Sequence, residues 1–204
     1  MPDSAPRYTS RAEKKHQNRL AFVNAARDLL EEQDLRSTTM EAIADRAGLH
    51  VQTLYKHFDN KAALLMALEE EIFESQRKIL EDPGRKASTI EARLQMDLKA
   101  IKGHDVDTMI KTFKDPEFAG VHMLVANRYI DLLSTHLAVE MGMDARDPEP
   151  RLIASMLHWG SFSVTGSLAA VEGVSNAKLV RQYRKTFKLI AETLDMFVAR
   201  RKKK

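Results

Sequence analysis

The apolar residues of this chain recur in steps of three and four, segment after segment, and nowhere alternate with polar ones over the length of a strand. A helix has about 3.6 residues per turn and a strand two, so this spacing selects helices throughout and argues against a sheet. Phe22, Val23, Ala26, Leu29 and Leu30 mark the inner face of a helix predicted over 11–33. Turn signals such as Asp82-Pro83-Gly84, Lys102-Gly103-His104, Asp115-Pro116 and Glu172-Gly173 divide the remainder of the chain. They leave predicted helices at 39–47, 50–58, 61–80, 87–102, 106–113, 117–140, 150–171 and 176–201. The predicted fold class is all-α, without an internal repeat.

Composition narrows the chemistry. The 204 residues include no Cys, which removes disulfides, thiolate nucleophiles and Cys-ligated zinc together. His104, His122, His136 and His158 stand on separate predicted segments without the i, i+4 pairing of a helical metal site, so no metal is expected. No phosphate-binding glycine loop, nucleophile elbow or carboxylate–histidine constellation is recognisable, and neither an enzyme nor a cofactor site is expected. The first residues lack the apolar stretch of a secretory signal, and the expected location is the cytoplasm. Leu152 to Val171 carries no Asp, Glu, Lys or Arg over a bilayer-spanning length. Ser155, His158, Ser161, Ser163, Thr165 and Ser167 make it too polar for hydrocarbon, so it is expected to be a helix buried on nearly every side. Formal net charge is only +3 but is unevenly spread. Arg7, Arg11, Lys14, Lys15 and Arg19 crowd the start and Arg200 to Lys204 the end, as solvated tails or as phosphate-seeking arms.

One stretch carries several independent signals. Thr38 or Thr39 can cap a helix, and Thr38 with Glu41 has the spacing of a capping box. Ile43, Ala44 and Ala47 form an apolar face on which a second helix can cross closely. Gly48 permits the left-handed backbone that ends a helix abruptly, and Leu49 can plug the corner. In His50 to Phe58, Leu54 and Phe58 face inward, while Gln52, Thr53, Tyr55, Lys56 and His57 lie on or near the outer side. Helix, glycine turn and short polar-faced helix make a helix-turn-helix, whose second helix fits the major groove of DNA. Lys56 and Lys61 can meet phosphates, Thr53 and Tyr55 can donate hydroxyls to them, Gln52 can read an adenine edge and Val51 a thymine methyl. The candidate DNA-binding residues are Thr38, Thr39, His50, Val51, Gln52, Thr53, Tyr55, Lys56, His57 and Lys61.

The run Thr38-Thr39-Met40, Ile43-Ala44, Ala47-Gly48, Thr53-Leu54-Tyr55, His57-Phe58, Lys61 and Leu64-Leu65, preceded by Ala25-Ala26, resembles the DNA-binding domain of the TetR family of bacterial transcription regulators. The likeness covers about residues 15–66. It implies a three-helix DNA-binding domain over 1–60, a helical ligand-binding and dimerisation domain over 61–204, and a homodimer on a palindromic operator. By position, Thr53, Tyr55 and Lys61 match residues that hold phosphates, and Val51, Gln52 and Lys56 match positions facing bases or nearby backbone. Asp34 replaces the family's usual Gly after the first helix, and His50 its usual capping Ser.

Beyond residue 66 the residues must be read on their own. Leu179, Tyr183, Phe187, Ile190, Leu194 and Phe197 form one seam on the last helix, and Gly160, Ser163, Ser167 and Ala170 a small-residue strip on the helix before it. Together they predict half of a four-helix dimer interface, or else the completion of the protomer's own core. Met96, Met109, Phe113, Phe118, His122, Met123, Asn127, Trp159 and Phe162 are the candidate ligand pocket. They call for a mainly apolar small molecule with His122, His158 or Asn127 as polar anchors. The expectation is a dimeric, ligand-responsive repressor without a cofactor and without contact to a membrane. The alternatives are a helical hydrophobe-binding protein with a vestigial helix-turn-helix, and a regulator without a ligand.

Overall fold

The structure, a computed structural model, describes residues 10–103, 105–168 and 173–201, without the side chains of residues 197, 198, 200 and 201. His104, Ala170, the side chain of Phe197 and most of the terminal basic residues therefore lie outside the described residues. The rest forms α1 (Arg11–Glu32), α2 (Met40–Arg46), α3 (Val51–Tyr55), α4 (Lys61–Glu81), α5 (Thr89–Gly103), α6 (Val106–Lys114), α7 (Pro116–Met141), α8 (Pro148–Leu168) and α9 (Asn176–Arg201). Among the described residues there is no strand, and no helix is long and apolar enough to cross a membrane.

Side-chain caps set most helix starts. Ser10 Oγ accepts from the Glu13 N–H at 3.1 Å while the Glu13 carboxylate accepts the Ser10 N–H at 3.3 Å, closing a capping box on α1. Asn60 Oδ1 accepts from Ala63 at 2.9 Å at the start of α4, and Asp105 Oδ2 from Thr108 at 2.9 Å at the start of α6. On α2 the cap is Thr39, whose Oγ1 accepts from Ala42 at 3.1 Å, so the capping box expected of Thr38 and Glu41 does not form. Thr38 turns inward instead. It is 1% exposed, and its hydroxyl donates to the Asp34 carbonyl at 3.0 Å. Asp34 keeps a negative φ, and its carboxylate accepts the Ser37 N–H at 3.0 Å, a bond that holds its pKa below the usual range. The turn thus survives the loss of glycine through a side-chain bond rather than a left-handed backbone.

Burial sorts the helices around two cores. Phe22, Val23, Ala26, Leu35, Ile43, Leu54, Phe58, Leu64, Leu65 and Leu68 build the first, which Val121 of α7 completes from outside. Ile101, Leu133, Leu137, Ile153, Leu157, Leu179, Tyr183 and Phe187 belong to the second. Helix α4 serves both, with Leu64 to Leu68 at its start and Leu80 at its end.

This packing corrects the expected dimer seam. Tyr183, Phe187 and Ile190 are between 2% and 4% exposed inside the second core. A Cβ on Gly160 would meet Ile190 and Thr186 of the same chain at 3.6 Å, so Gly160 serves the contact between α8 and α9. Leu194 also packs against this core. The seam is spent within the protomer because α5 and α8 already cover that side of α9. Helix α8, in turn, is not buried all round: Leu152, Ser163 and Ser167 are exposed on one side of it.

Leu54 is fully buried, so Leu54→Ala is expected to cost about 2–5 kcal/mol of stability in urea denaturation. A loss well under 1 kcal/mol would show that α3 does not anchor in the first core.

Candidate nucleic-acid interface and buried polar core

The turn between α2 and α3 is built by one glycine. Gly48 has φ +66°, and an added Cβ would meet nothing within 4 Å, so conformation rather than space requires glycine here. The Leu49 N–H then reaches back to the Ala44 carbonyl at 3.0 Å, and Leu49 packs on the first core. Helix α3 is shorter than the predicted 50–58. After Tyr55 the chain tightens, with Lys56 N–H on the Thr53 carbonyl at 3.2 Å and His57 N–H on Leu54 at 2.9 Å. That tightening lets Phe58, 2% exposed, follow Leu54 into the core before Asn60 caps α4.

With Leu54 and Phe58 buried, α3 turns a polar face outward. Thr39, His50, Gln52, Tyr55 and Lys56 are exposed, and Val51, Thr53 and His57 are half-buried beside them. His50 makes no side-chain capping bond. The His57 ring lies 5.8 Å from that of Phe22, and burial, followed by Lys15 and Arg19, lowers its pKa. It is a packing residue with a polar edge, not a standing positive charge. Arg19 of α1 places its guanidinium 4.4 Å from the centre of the Phe58 ring, which brings exposed Arg11, Lys14, Lys15 and Arg19 to the same end of the domain. Thr38, turned into the first core, is withdrawn from the set because it cannot reach a groove.

Lys61 is engaged inside the protein. Its Nζ donates to the Leu35 carbonyl at 3.0 Å and lies 3.4 Å from the Glu117 carboxylate, joining the starts of α4 and α7. Nothing in sequence spacing announces that partner.

Deep between α4, α5, α7 and α8 the second core is polar. Phe113 of α6, Phe118 at the edge of the first core, His122, Trp159 and Phe162 form a chain of ring contacts there, in which His122 also meets Tyr129 and both His122 and Trp159 meet His158. Met109 is buried and Met96 half-buried on the same core. Met123, 63% exposed, and Asn127, also exposed, lie on the solvent side of α7 and are withdrawn from the pocket. Glu69 of α4 is only 6% exposed and accepts the Tyr129 hydroxyl at 3.0 Å. Burial first, and then Glu69, raises the pKa of Tyr129. Arg93 and Asp97 lie 3.0 Å apart as an ion pair whose Nε lacks hydrogen-bond alignment, and Asp97 also accepts the Ser161 hydroxyl at 2.6 Å. Burial, with Arg93 and His122 adding repulsion, pushes the pKa of His158 down to about 3.

Sequence reading missed Glu69, Phe73, Arg93, Asp97 and Tyr129. Glu69 sits in an acidic run, Glu69-Glu70-Glu71, that reads as solvated. Only its helical phase with Leu65 and Phe73 gives away an inward direction.

A glycine turn that sets a short, buried-anchored helix with an exposed polar face defines a helix-turn-helix protein. Residues 22–68 match the family model of "Bacterial regulatory proteins, tetR family". The HTH-type transcriptional repressor KstR2 of Rhodococcus jostii (strain RHA1) is 30% identical over 120 residues. That stretch is 57% of this chain and 56% of the repressor, little more than half of either. A TetR transcriptional regulator from Rhodococcus sp. RHA1 shares the fold at TM-score 0.59 and 20% identity, over 87% of this chain and 97% of that one. The regulator FadR from Bacillus subtilis, in complex with stearoyl-CoA, aligns at TM-score 0.57 and 19% identity, over 84% of this chain and 96% of its own.

The neutral His158 has a pH signature. Its folded pKa of about 3 lies below the ordinary value of 6.5, so the unfolded chain takes up the proton first as pH falls. The stability held by the neutral ring is complete above about pH 6.5 and is lost progressively towards pH 3, at about 1.4 kcal/mol per pH unit. In urea denaturation between about pH 6 and pH 5, His158→Phe is expected to flatten the decline by about one proton. An unchanged slope would mean that His158 is protonated in the folded state.

Proposed function

We propose that the protein is a dimeric transcriptional repressor that binds a palindromic operator through α3 and releases it when a small, mainly apolar molecule enters the second core. One observation carries this reading: α3 is held by Leu54 and Phe58 yet leaves Gln52, Tyr55 and Lys56 exposed, the division of labour that major-groove insertion requires. Lys56, Tyr55 and the basic start of α1 supply phosphate contacts, and Gln52 and Val51 supply base contacts. The chain divides in function near residue 60, with 1–60 reading DNA and 61–204 binding the ligand and the second protomer. The cytoplasm, where the operator is, is its place of action.

The dimer interface that fits this packing lies one face round from the predicted seam. Leu152, Met156, Ser163 and Ser167 on α8 and Leu189, Thr193 and Met196 on α9 form two adjacent stripes, joined where Gly160 meets Thr186. Leu152, Leu189 and Met196 are 49%, 54% and 56% exposed in the protomer, an apolar surface suited to a second copy. A two-fold axis there sets two copies of α3 about 34–36 Å apart on successive major grooves. Ligand entry stabilises a dimer shape with another separation, and operator affinity falls.

Selection of bound duplexes from random DNA is expected to return a palindrome. On the selected sequence, Lys56→Ala should weaken all sites and reduce the slope of log affinity against log salt by about 0.9. Gln52→Ala should relax preference at one base pair by about 1–3 kcal/mol. Selection without enrichment and salt-independent retention would instead favour a hydrophobe-binding protein that has lost DNA. In light scattering, Leu189→Glu should convert the dimer to monomer, and an unaltered mass would place the interface elsewhere.

A further inference from the structure

His57 lies in the tight segment that follows α3, and its ring stands where that segment meets α1. The ring centroid is 5.8 Å from that of Phe22 and 6.4 Å from that of Phe58, both buried in the first core. Among the described residues the imidazole makes no side-chain hydrogen bond, and its nitrogens are not sealed in as those of His158 are. One side of the half-buried ring packs while its polar edge meets solvent, next to exposed Tyr55 and Lys56. A residue needed only to cover Phe22 could be wholly apolar.

Helical spacing gathers cations at that edge. Lys15, Arg19 and Phe22 follow one another along α1 at intervals of four and three, so they share the face on which His57 rests. The Arg19 guanidinium, 4.4 Å from the centre of the Phe58 ring, is fixed to the same place. Neither Lys15 nor Arg19 is in an ion pair among the described residues. After burial, their two charges are what opposes protonation of His57, and its chain neighbours Lys56 and Asp59 are not among the groups acting on it. No carboxylate offsets them there.

Two unpaired cations beside a neutral imidazole make an anion site one charge short. A phosphate oxygen held by Lys15 and Arg19 brings its negative charge next to the ring, and that charge favours the imidazolium which the cations alone disfavour. The protonated ring carries a donor on each nitrogen, so the solvent edge can meet phosphate whichever way the ring is turned.

We infer that His57 is a proton-linked phosphate contact, which takes up a proton from solvent when the protomer meets DNA, an inference that rests on α3 facing DNA and adds the proton as a regulator of that same face. Linkage is reciprocal, so a complex that forms with proton uptake tightens as pH falls. The free imidazole titrates below the ordinary 6.5, and the bound one at higher pH. Affinity is therefore gained as pH falls through the bound range and levels off below the free range.

Fluorescence anisotropy of the full chain on a selected duplex, between about pH 7.5 and about pH 6.0 at several salt concentrations, tests this. Affinity is expected to rise roughly three-fold or more per pH unit, and the slope of log affinity against log salt to steepen by up to about 0.9 per protomer as the ring gains charge. His57→Gln, which keeps a donor and an acceptor, should lose both effects. His50→Gln and His16→Gln should retain them, whatever their absolute affinity. In the wild-type protein the His57 ring resonance, identified by its contacts to Phe22 and Phe58, should titrate at higher pH in the complex than in the free chain, a readout independent of whether any variant folds. A flat pH profile for the wild type, an unchanged profile in His57→Gln, or the same ring titration with and without DNA overturns the inference. A chain that binds no duplex contradicts the repressor function and removes this inference with it. One that binds a palindrome with a flat pH profile contradicts this inference alone.

Discussion

Helix α4 is a single rigid element that two hydrophobic cores must share. Leu64, Leu65 and Leu68 are spent on the first core, while one turn further on Glu69 and Phe73 meet Tyr129 and Leu80 closes the second core. Its 21 residues span about 30 Å, and a helix of that length moves as a body. The two halves therefore cannot shift against each other without disturbing one set of apolar contacts. Lys61 reinforces the joint at its start, held by the Leu35 carbonyl and by Glu117 across to α7. Arg27 with Glu71 and Arg128 with Glu70 add pairs along its flanks, but these are partly exposed and such pairs contribute little on their own. Apolar burial along α4 carries the coupling.

That arrangement gives the buried polar core its significance. Buried imidazole nitrogens without hydrogen-bond partners and an enclosed carboxylate are a poor way to stabilise a helix bundle, and they sit where α4, α7 and α8 converge. Stability given up at such a place is characteristic of a site shaped for something other than packing.

Much of the fold was legible in the residues. The period of the apolar positions placed each helix to within a few residues, because burial of one face is what fixes a helix in a bundle. Gly48 announced its turn, since the required backbone angle leaves few other choices. Legibility failed where a residue's partner is distant in sequence. Lys61 reads as a phosphate ligand until Glu117 appears beside it, and Tyr183, Phe187 and Ile190 read as an interface until α5 and α8 cover them. Periodicity finds a buried face without saying which protomer buries it. Thr38 and Thr39 are equally good caps on paper, and only the inward hydrogen bond of Thr38 decides between them.

The central claim is that the outer face of α3 enters DNA while α8 and α9 stay clear of it. Hydroxyl-radical footprinting of the protein, with and without a selected duplex, reads this residue by residue. Strong protection of Tyr55 and its α3 neighbours is predicted, with unchanged reactivity of Trp159 and Met123. Full reactivity of Tyr55 in the complex, with protection appearing on the second core instead, would contradict it.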